Sequence, residues 1–354
     1  MREIRPEDLD NISRGAAILG TGGGGDPYIG RLTAEAALRQ FGPVRLMDLD
    51  EIGDDALAVA VAMVGSPTVF LEKPPTLQQI ASAPRLLASH LGRELTHLIC
   101  AEVGGVNSLI PMAAAAVLGL PLVNADGMGR AFPKIGMSIP AMNGIRANPL
   151  ALADEKGNHS IVLPISNAWA ERITRSTAVD LGCAIIVSTS AMSGQQAREF
   201  MVPATLSLCS ELGSALEQAR AGKSDPVAAV VEKLGGTRLF TGKVIDVSRR
   251  TESGFTLGEV RLAALDTGLG SEMVLRFQNE YLVAELDDAV AATTPDLICT
   301  LDTATGNAIT VERLRFGQRL SVISAPADPR WHSADAISLV GPRSFGYDID
   351  PVRA

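Results

Sequence analysis

The segment Leu19-Gly-Thr-Gly-Gly-Gly-Gly-Asp26 has glycine at five of its first seven positions and ends in an aspartate. Glycine adopts left-handed backbone dihedrals at little cost, so a glycine run can point successive N–H groups into one concavity. The apolar residues at 16–19 predict a short strand before the run, and a helical pattern follows from about Tyr28. This position between a strand and a helix favours an anion or oxyanion site over a flexible loop.

Strand, polar loop and helix patterns alternate through the first half of the chain. A helix at 7–15 leads into the short strand, and later patterns typical of strands lie at 44–49, 56–64, 96–101 and 120–123. Helical patterns separate them, at 28–41, 76–91 and 111–118. The alternation predicts an α/β domain with a parallel or mixed sheet over residues 1–166, which carries most of the candidate site loops.

The second half begins with helical patterns and changes to strands near residue 237. From there, short alternating segments are separated by glycine, asparagine and aspartate about every ten residues. We therefore predict a second, α+β domain over 167–354 that ends in a small antiparallel β-rich unit. Two domains also suit a chain of 354 residues, which is long for one core.

Composition limits the partners and the compartment of the protein. A net charge of −9 without any basic run argues against nucleic acid and against anionic membranes. The N-terminal residues lack the apolar core of a signal peptide, and the four cysteines show no Cys-x-x-Cys spacing. We expect a reduced, cytoplasmic protein that binds neither nucleic acid nor membrane.

Polar residues cluster in the loops that follow the predicted strands. Ligands of open α/β sheets bind beyond the carboxyl ends of the strands, so these loops are candidates for one site. The residues concerned are Asp26, Glu72, Lys73, Glu102, Asn107, Asp126 and Arg130. Taken singly, each carboxylate could also cap a helix or form a surface ion pair, and Asp126 could form an Asx turn.

The glycine run also matches G-x-G-x-x-G, the fingerprint of dinucleotide binding, and Asp48 lies where a ribose-binding acid would be expected. A run of glycines satisfies that pattern trivially, and NAD is therefore not the expected cofactor. The histidines lack the spacing of zinc ligands. A divalent metal such as zinc, held by Asp126 and Glu102 across two loops, stays an open alternative, and the cofactor is otherwise unknown.

Four segments of the first half resemble signature sequences of the S-methyl-thiohydantoin desulfurase family. This family was long known only as a domain of unknown function associated with hydantoin utilisation. The four segments are Gly20–Tyr28, Glu72–Pro74, Glu102–Asn107 and Asp126–Pro133. The segments Asp296–Asp302, Thr305-Gly306 and Val340–Tyr347 are similar to its C-terminal pattern, so the resemblance runs from about residue 5 to the end. This chain departs from the pattern at Asn124, where many members carry an acidic residue.

The resemblance implies hydrolytic cleavage of a C–S bond, in which water replaces a thiol on an S-alkylated thiohydantoin ring and leaves a hydantoin. It thus implies a small heterocyclic substrate, and together with an apolar, alanine-rich surface it leads us to expect a homo-oligomer. We expect Asp126 to act as the base or as a metal ligand, with Glu102 beside it and Lys73 as a catalytic cation. Expected substrate contacts are Gly22, Gly23, Gly24, Asp26, Glu72, Asn107, Arg130 and Arg343. A non-catalytic, ligand-binding partner of a hydantoin-degrading system and an NAD-dependent oxidoreductase are the alternatives.

Overall fold

The computed structural model describes residues 2–252, 254–265 and 270–354, and its first half is built on a mixed nine-stranded sheet. Its strands are β1 (Arg2–Ile4), β2 (Val44–Met47), β3 (Ala58–Gly65), β4 (His97–Cys100), β5 (Leu122–Asp126), β6 (Leu150–Ala153), β7 (His159–Val162), β8 (Ala184–Met192) and β9 (Val202–Pro203). They lie in the order β1-β2-β5-β4-β3-β8-β6-β7, with β9 paired to β5. The four central strands β2, β5, β4 and β3 are parallel, and the remaining pairs are antiparallel.

Helices cover this sheet and connect its strands. They are α1 (Leu9–Leu19), α2 (Pro27–Phe41), α3 (Pro67–Glu72), α4 (Leu77–Leu91), α5 (Ile110–Leu118), α6 (Ile139–Met142), α7 (Asn167–Asp180), α8 (Gly194–Phe200), α9 (Thr205–Ala221), α10 (Pro226–Leu234) and, near the C-terminus, α11 (Ala334–Val340). None of the described helices is long and apolar enough to cross a membrane.

The second sheet has seven strands, all antiparallel. They are β10 (Thr237–Glu252), β11 (Phe255–Ala264), β12 (Glu272–Gln278), β13 (Glu280–Leu286), β14 (Ala289–Thr293), β15 (Leu297–Asp302) and β16 (Arg319–Ala325). Their order is β14-β13-β12-β11-β10-β16-β15, and β13 also packs against β15, so the sheet curves into a half-barrel around its own core. The predicted architecture of an α/β domain followed by an antiparallel β unit is confirmed.

The predicted domain boundary at residue 166 does not coincide with the division of the chain between the two sheets. Strands β8 and β9 follow that position and belong to the first sheet, because β8 pairs with β3 and β9 pairs with β5. The seven-stranded sheet begins only at Thr237. The domain boundary near residue 166 therefore remains a prediction, and the first sheet contains strands from both sides of this position.

A helix leads directly into the glycine run, so the prediction of a strand at 16–19 is wrong. Helix α1 continues to Leu19, and its apolar residues are buried against α9. Gly15 allows this close packing, since a Cβ there would lie 2.0 Å from the carbonyl oxygen of Cys209. A short apolar run looks the same in a buried helix and in a buried strand, so periodicity alone could not separate them.

The glycine run is a three-way junction between parts of the chain that are distant in sequence. Its carbonyl groups accept hydrogen bonds in three places: Thr21 from the Tyr281 N–H at 2.8 Å, Gly22 from the Val311 N–H at 2.9 Å, and Gly24 from the Val106 N–H at 2.9 Å. Val311 is the first residue of a helical turn, Val311–Arg313, that lies between β15 and β16. The run thus joins the first sheet's loops to the second sheet.

Steric contact explains why this junction needs glycine. A Cβ on Gly105 would lie 2.2 Å from the carbonyl oxygens of both Gly24 and Gly25, and a Cβ on Gly23 would lie 2.0 Å from Glu280 Oε1. Gly24 and Gly105 also have φ values of +72° and +47°, in the left-handed region. Backbone therefore packs directly on backbone at this point.

Candidate functional site

A cavity of about 420 Å³ lies beyond the carboxyl ends of three parallel strands. Ser66 follows β3, Glu102 follows β4 and Gly127 follows β5, and all three residues line the cavity. Gly24 and Gly25 of the junction line it as well. A volume of this order suits a small organic ligand, and the position is the one at which open α/β sheets bind ligands.

Glu102 is a carboxylate on the cavity wall with a fixed orientation. Asn107 Nδ2 donates to Glu102 Oε1 at 2.7 Å, and Asn107 is itself held by Met63, whose N–H donates to Asn107 Oδ1 at 2.8 Å. Burial raises the pKa of Glu102 to about 7, although hydrogen bonds from Asn107 and from the Phe132 backbone lower it. A carboxyl with this pKa is suited to take up and release a proton near neutral pH.

The second sheet completes the cavity. Glu280 at the start of β13 lines it, and so does Glu312 in the helical turn Val311–Arg313 after β15. Asn279, in the tight connection between β12 and β13, lines it as well. Glu280 is only 2% exposed, and burial is the first cause of its raised pKa. The cavity is therefore an interdomain site.

Cations reach the cavity from α7 and from the loop before α6. Arg175 pairs with Glu171 one helical turn away, donates to Pro133 O at 2.9 Å and lies over the Phe255 ring at 4.1 Å. Lys134 lies on the same wall. Arg175 thus fixes α7 to the β10–β11 hairpin of the second sheet, and it adds positive charge to a wall that otherwise carries carboxylates.

Three buried side-chain oxygens on the cavity wall have no hydrogen-bond partner among the described residues. They are Glu280 Oε2, Glu312 Oε2 and Thr189 Oγ1. Thr189 belongs to β8 and is followed by Ser190, whose φ of 51° is unusual for a residue other than glycine. Buried polar atoms are normally paired, so unpaired oxygens on three residues that line one cavity indicate a place where a ligand or water binds.

Asp126 lies behind the cavity and not on its wall. Its carboxylate is fully buried and accepts hydrogen bonds from the N–H groups of Val103 at 2.8 Å, Met128 at 2.9 Å and Gly129 at 3.0 Å. Burial raises its pKa to about 7 against these lowering hydrogen bonds. Asp126 therefore holds the loops after β4 and β5 together, as an Asx-type turn would.

The replacement Asp126→Ala is expected to lower the free energy of unfolding by about 3 kcal/mol, because three buried N–H groups lose their acceptor. Asp126→Asn keeps one acceptor oxygen and should lose less. Chemical denaturation of both variants measures the effect. An Asp126→Asn variant with wild-type stability but no turnover would instead support a catalytic role.

Arg130 is enclosed between the two sheets and also lies off the cavity wall. Its guanidinium donates to the carbonyl groups of Pro295 and Asp296, both at 2.7 Å, and to Thr21 Oγ1 at 2.9 Å. It also stacks over Phe132 at 4.5 Å. These contacts use the guanidinium to hold the junction together, which differs from the substrate contact expected from the sequence.

Of the remaining residues singled out in the sequence, some line the cavity and the others lie behind it or away from it. Asn107 and Gly24 line the cavity, whereas Gly22 and Gly23 lie behind it against Tyr281 and Glu280. Asp26 caps α2 and pairs with Arg313, and Glu72 is exposed. Two cations form ion pairs away from the cavity, Lys73 with Glu155 and Arg343 with Asp348 and Asp350. Asn124, where the chain departs from the family pattern, forms hydrogen bonds with Asp48 and Ser207. Local sequence could not reveal which loop side chains turn inward.

The residues present do not fit the metal hypothesis. Among the described residues, no group of three or more histidine, cysteine, aspartate or glutamate side chains is arranged to hold an ion. Both oxygens of Asp126 are already occupied by backbone N–H groups. We therefore derive no step through a metal bound by Asp126 and Glu102.

Several cavity residues were missed from the sequence. Glu171 and Arg175 are spaced four residues apart on a helix, which is typical of an exposed ion pair. Glu280 follows Asn279, a turn residue with φ of 61°, and resembles an ordinary hairpin polar residue. Cys183 directly precedes β8, is partly exposed and also lines the cavity.

Fold and site together define a two-domain α/β plus β protein with a small-molecule cavity between its domains. The chain belongs to the S-Me-THD-like family, whose N-terminal domain matches residues 7–163 and whose C-terminal domain matches residues 165–354. The suspected family membership is thereby confirmed.

The comparison with solved structures adds a fold relative. A crystal structure of a protein from Chromobacterium violaceum is similar over 100% of both chains, with a TM-score of 0.81 and 24% sequence identity. Identity at this level establishes a common fold and nothing about activity. No curated protein matches the chain.

Proposed function

We propose that this protein is a hydrolase that cleaves the C–S bond of an S-methylated thiohydantoin-like ring, giving a hydantoin and a thiol. The observation that carries the proposal is Glu102, a carboxyl on the cavity wall that Asn107 orients and whose pKa lies at about 7. Family membership supplies the substrate class, and Glu102 supplies a suitable general base.

The rest of the cavity supports binding of a small, largely uncharged ring. Apolar side chains such as Met63, Phe132 and Met192 line much of it and would exclude bulk water. In the described part of the chain, no protein acceptor is found for the N–H groups of Gly24 and Gly25. These groups are available to stabilise negative charge on the ring as water adds.

The chemistry requires few side chains because a thiolate is a good leaving group. Glu102 removes a proton from water while the water oxygen forms a bond to the ring carbon that lies between the two nitrogens. The C–S bond then breaks, and the sulfur leaves as methanethiol with one of the protons that water supplied. This scheme needs no redox step, since carbon exchanges sulfur for oxygen.

The test is incubation of the purified protein with an S-methylated 2-thiohydantoin, with methanethiol measured by a thiol-reactive dye. Because Cys183 is partly exposed and can react with the dye, the protein is removed by filtration before the dye is added. We expect equal amounts of methanethiol and hydantoin. A panel of such rings that gives no thiol, with and without added divalent metal, would contradict the proposal.

The same samples separate the two alternatives. Ring binding without turnover would favour a ligand-binding partner of a hydantoin-degrading system. Tight NAD binding would favour an oxidoreductase, but the glycine run follows a helix and not a strand, so the dinucleotide fingerprint lacks the structural context that it needs.

A further inference from the structure

The second domain contributes two carboxyl groups to the cavity, Glu280 and Glu312, and Glu280 is the more deeply buried of the two. Glu280 is 2% exposed, and its Oε1 lies so close to Gly23 that no larger residue fits there. The next residue, Tyr281, anchors the segment by donating its N–H to Thr21 O at 2.8 Å. The junction therefore fixes Glu280 in position in the cavity that Glu102 also lines.

One oxygen of this carboxyl is unused by the protein. Glu280 Oε2 is buried and has no hydrogen-bond partner among the described residues, although Glu280 lines the cavity. Leaving a buried carboxyl oxygen unpaired costs stability. An unpaired oxygen at this place is the arrangement expected of a group that contacts a ligand.

The surrounding charges favour the protonated form of Glu280. Burial is the largest cause of its raised pKa and the charge of Glu102 is the next, with Glu312 acting in the same direction. The buried Arg130 opposes them. Where two carboxyls in one site differ in pKa, the one with the lower pKa serves as proton acceptor and the one with the higher pKa as proton donor.

We propose that Glu280 is a second catalytic group, a carboxylic acid that enters the cavity from the second domain and protonates a ring nitrogen while Glu102 activates water. The proposal rests on the hydrolase function proposed above. It also assigns the second domain a direct part in the chemistry, since the first domain alone would hold the base and lack the acid.

The proton balance closes over one turnover. Glu280 gives its proton to the ring nitrogen as the C=N bond opens, and Glu102 takes a proton from the water whose oxygen bonds to carbon. The C–S bond then breaks as Glu102 returns its proton to sulfur, and the new hydroxyl loses its proton to Glu280 as the C=O bond forms. Both carboxyls end as they began, and one water has been consumed.

The experiment compares Glu280→Gln with wild type on an S-methylated 2-thiohydantoin. Glutamine keeps the shape but cannot deliver a proton, so we expect kcat to fall roughly 100-fold or more with KM little changed. Wild type should also lose activity at alkaline pH as Glu280 ionises, and this limb should be absent from the variant. Glu285→Gln, on the same strand but paired with Arg276 outside the cavity, is the control.

Infrared spectroscopy provides a readout that needs no turnover. At neutral pH the difference spectrum of wild type minus Glu280→Gln should show the C=O stretch of a protonated carboxyl, and the difference spectrum of wild type minus Glu285→Gln should lack it. The bands of other buried carboxyls with pKa values of about 7, Glu102 and Asp126, are common to both proteins and cancel. A variant with near-normal kcat, or a Glu280→Gln difference spectrum without this band, would overturn the role of Glu280 and leave the hydrolase standing. A wild-type protein without thiol release would overturn the hydrolase and the proton donor together.

Discussion

Replacing Glu102 with glutamine is expected to reduce kcat for methanethiol release by roughly 10²–10⁴-fold, the usual contribution of a general base. Glutamine fits the same space and can still bond Asn107, so the fold should be unaffected. Steady-state kinetics measure the loss, and circular dichroism verifies the fold. Glu232→Gln, an exposed residue of α10, is the control and should retain wild-type turnover.

The pH profile gives Glu102 a second measurement. The base must be ionised to work, and burial raises its pKa to about 7. Activity should therefore be high above that pH and fall as pH is lowered through it. Because Glu102 and Glu280 influence each other, the profile reports values that belong to the pair. An acid limb near the ordinary pKa of glutamate would argue against Glu102.

The second large effect is expected for Gly105→Ala, which should lower the free energy of unfolding by about 3 kcal/mol. The new Cβ would lie 2.2 Å from the carbonyl oxygens of Gly24 and Gly25, and backbone cannot easily move away there. The junction would have to open, so ring binding should weaken as well. Thermal and denaturant unfolding measure the first effect, and equilibrium titration measures the second.

Gly119→Ala is the matched control for this substitution. Gly119 also has a left-handed φ, of +66°, but a Cβ there would meet nothing within 4 Å. Its cost, about 1 kcal/mol, is therefore that of the left-handed dihedral alone. The difference between the two variants isolates the contact between the glycine run and the loop after β4. Equal losses would contradict the junction described for this protein.

Much of the first sheet follows from local pattern because its strands are continuous apolar runs and its helices have clear ends. Strand β3, helix α2 and helix α4 form close to where periodicity predicts them. Strands β6 and β7 were not predicted, and α1 was cut short at its apolar end. These differences arise where pairing partners or helix contacts, rather than local propensity, fix the element.

The residues of the candidate site also differ in how far the sequence alone predicts their roles. Glu102 and Asn107 lie five residues apart after one strand, so a sequence argument reaches both, and their hydrogen bond follows from the tight loop between them. Asp126 looks equally catalytic in sequence. Only its three backbone partners distinguish a residue that shapes the loops from one that faces a substrate.

The sequence by itself determined the family, the order of the two domains and the strand-following loop that carries Glu102. Tertiary structure decided that Glu280 joins Glu102 in one cavity and that Arg130 serves the junction. It also decided that the glycine run packs closely against three distant segments, which the amino-acid pattern of the run does not indicate. The physical reason is that burial, partners and pKa values depend on neighbours far away in the chain, and these exist only after folding.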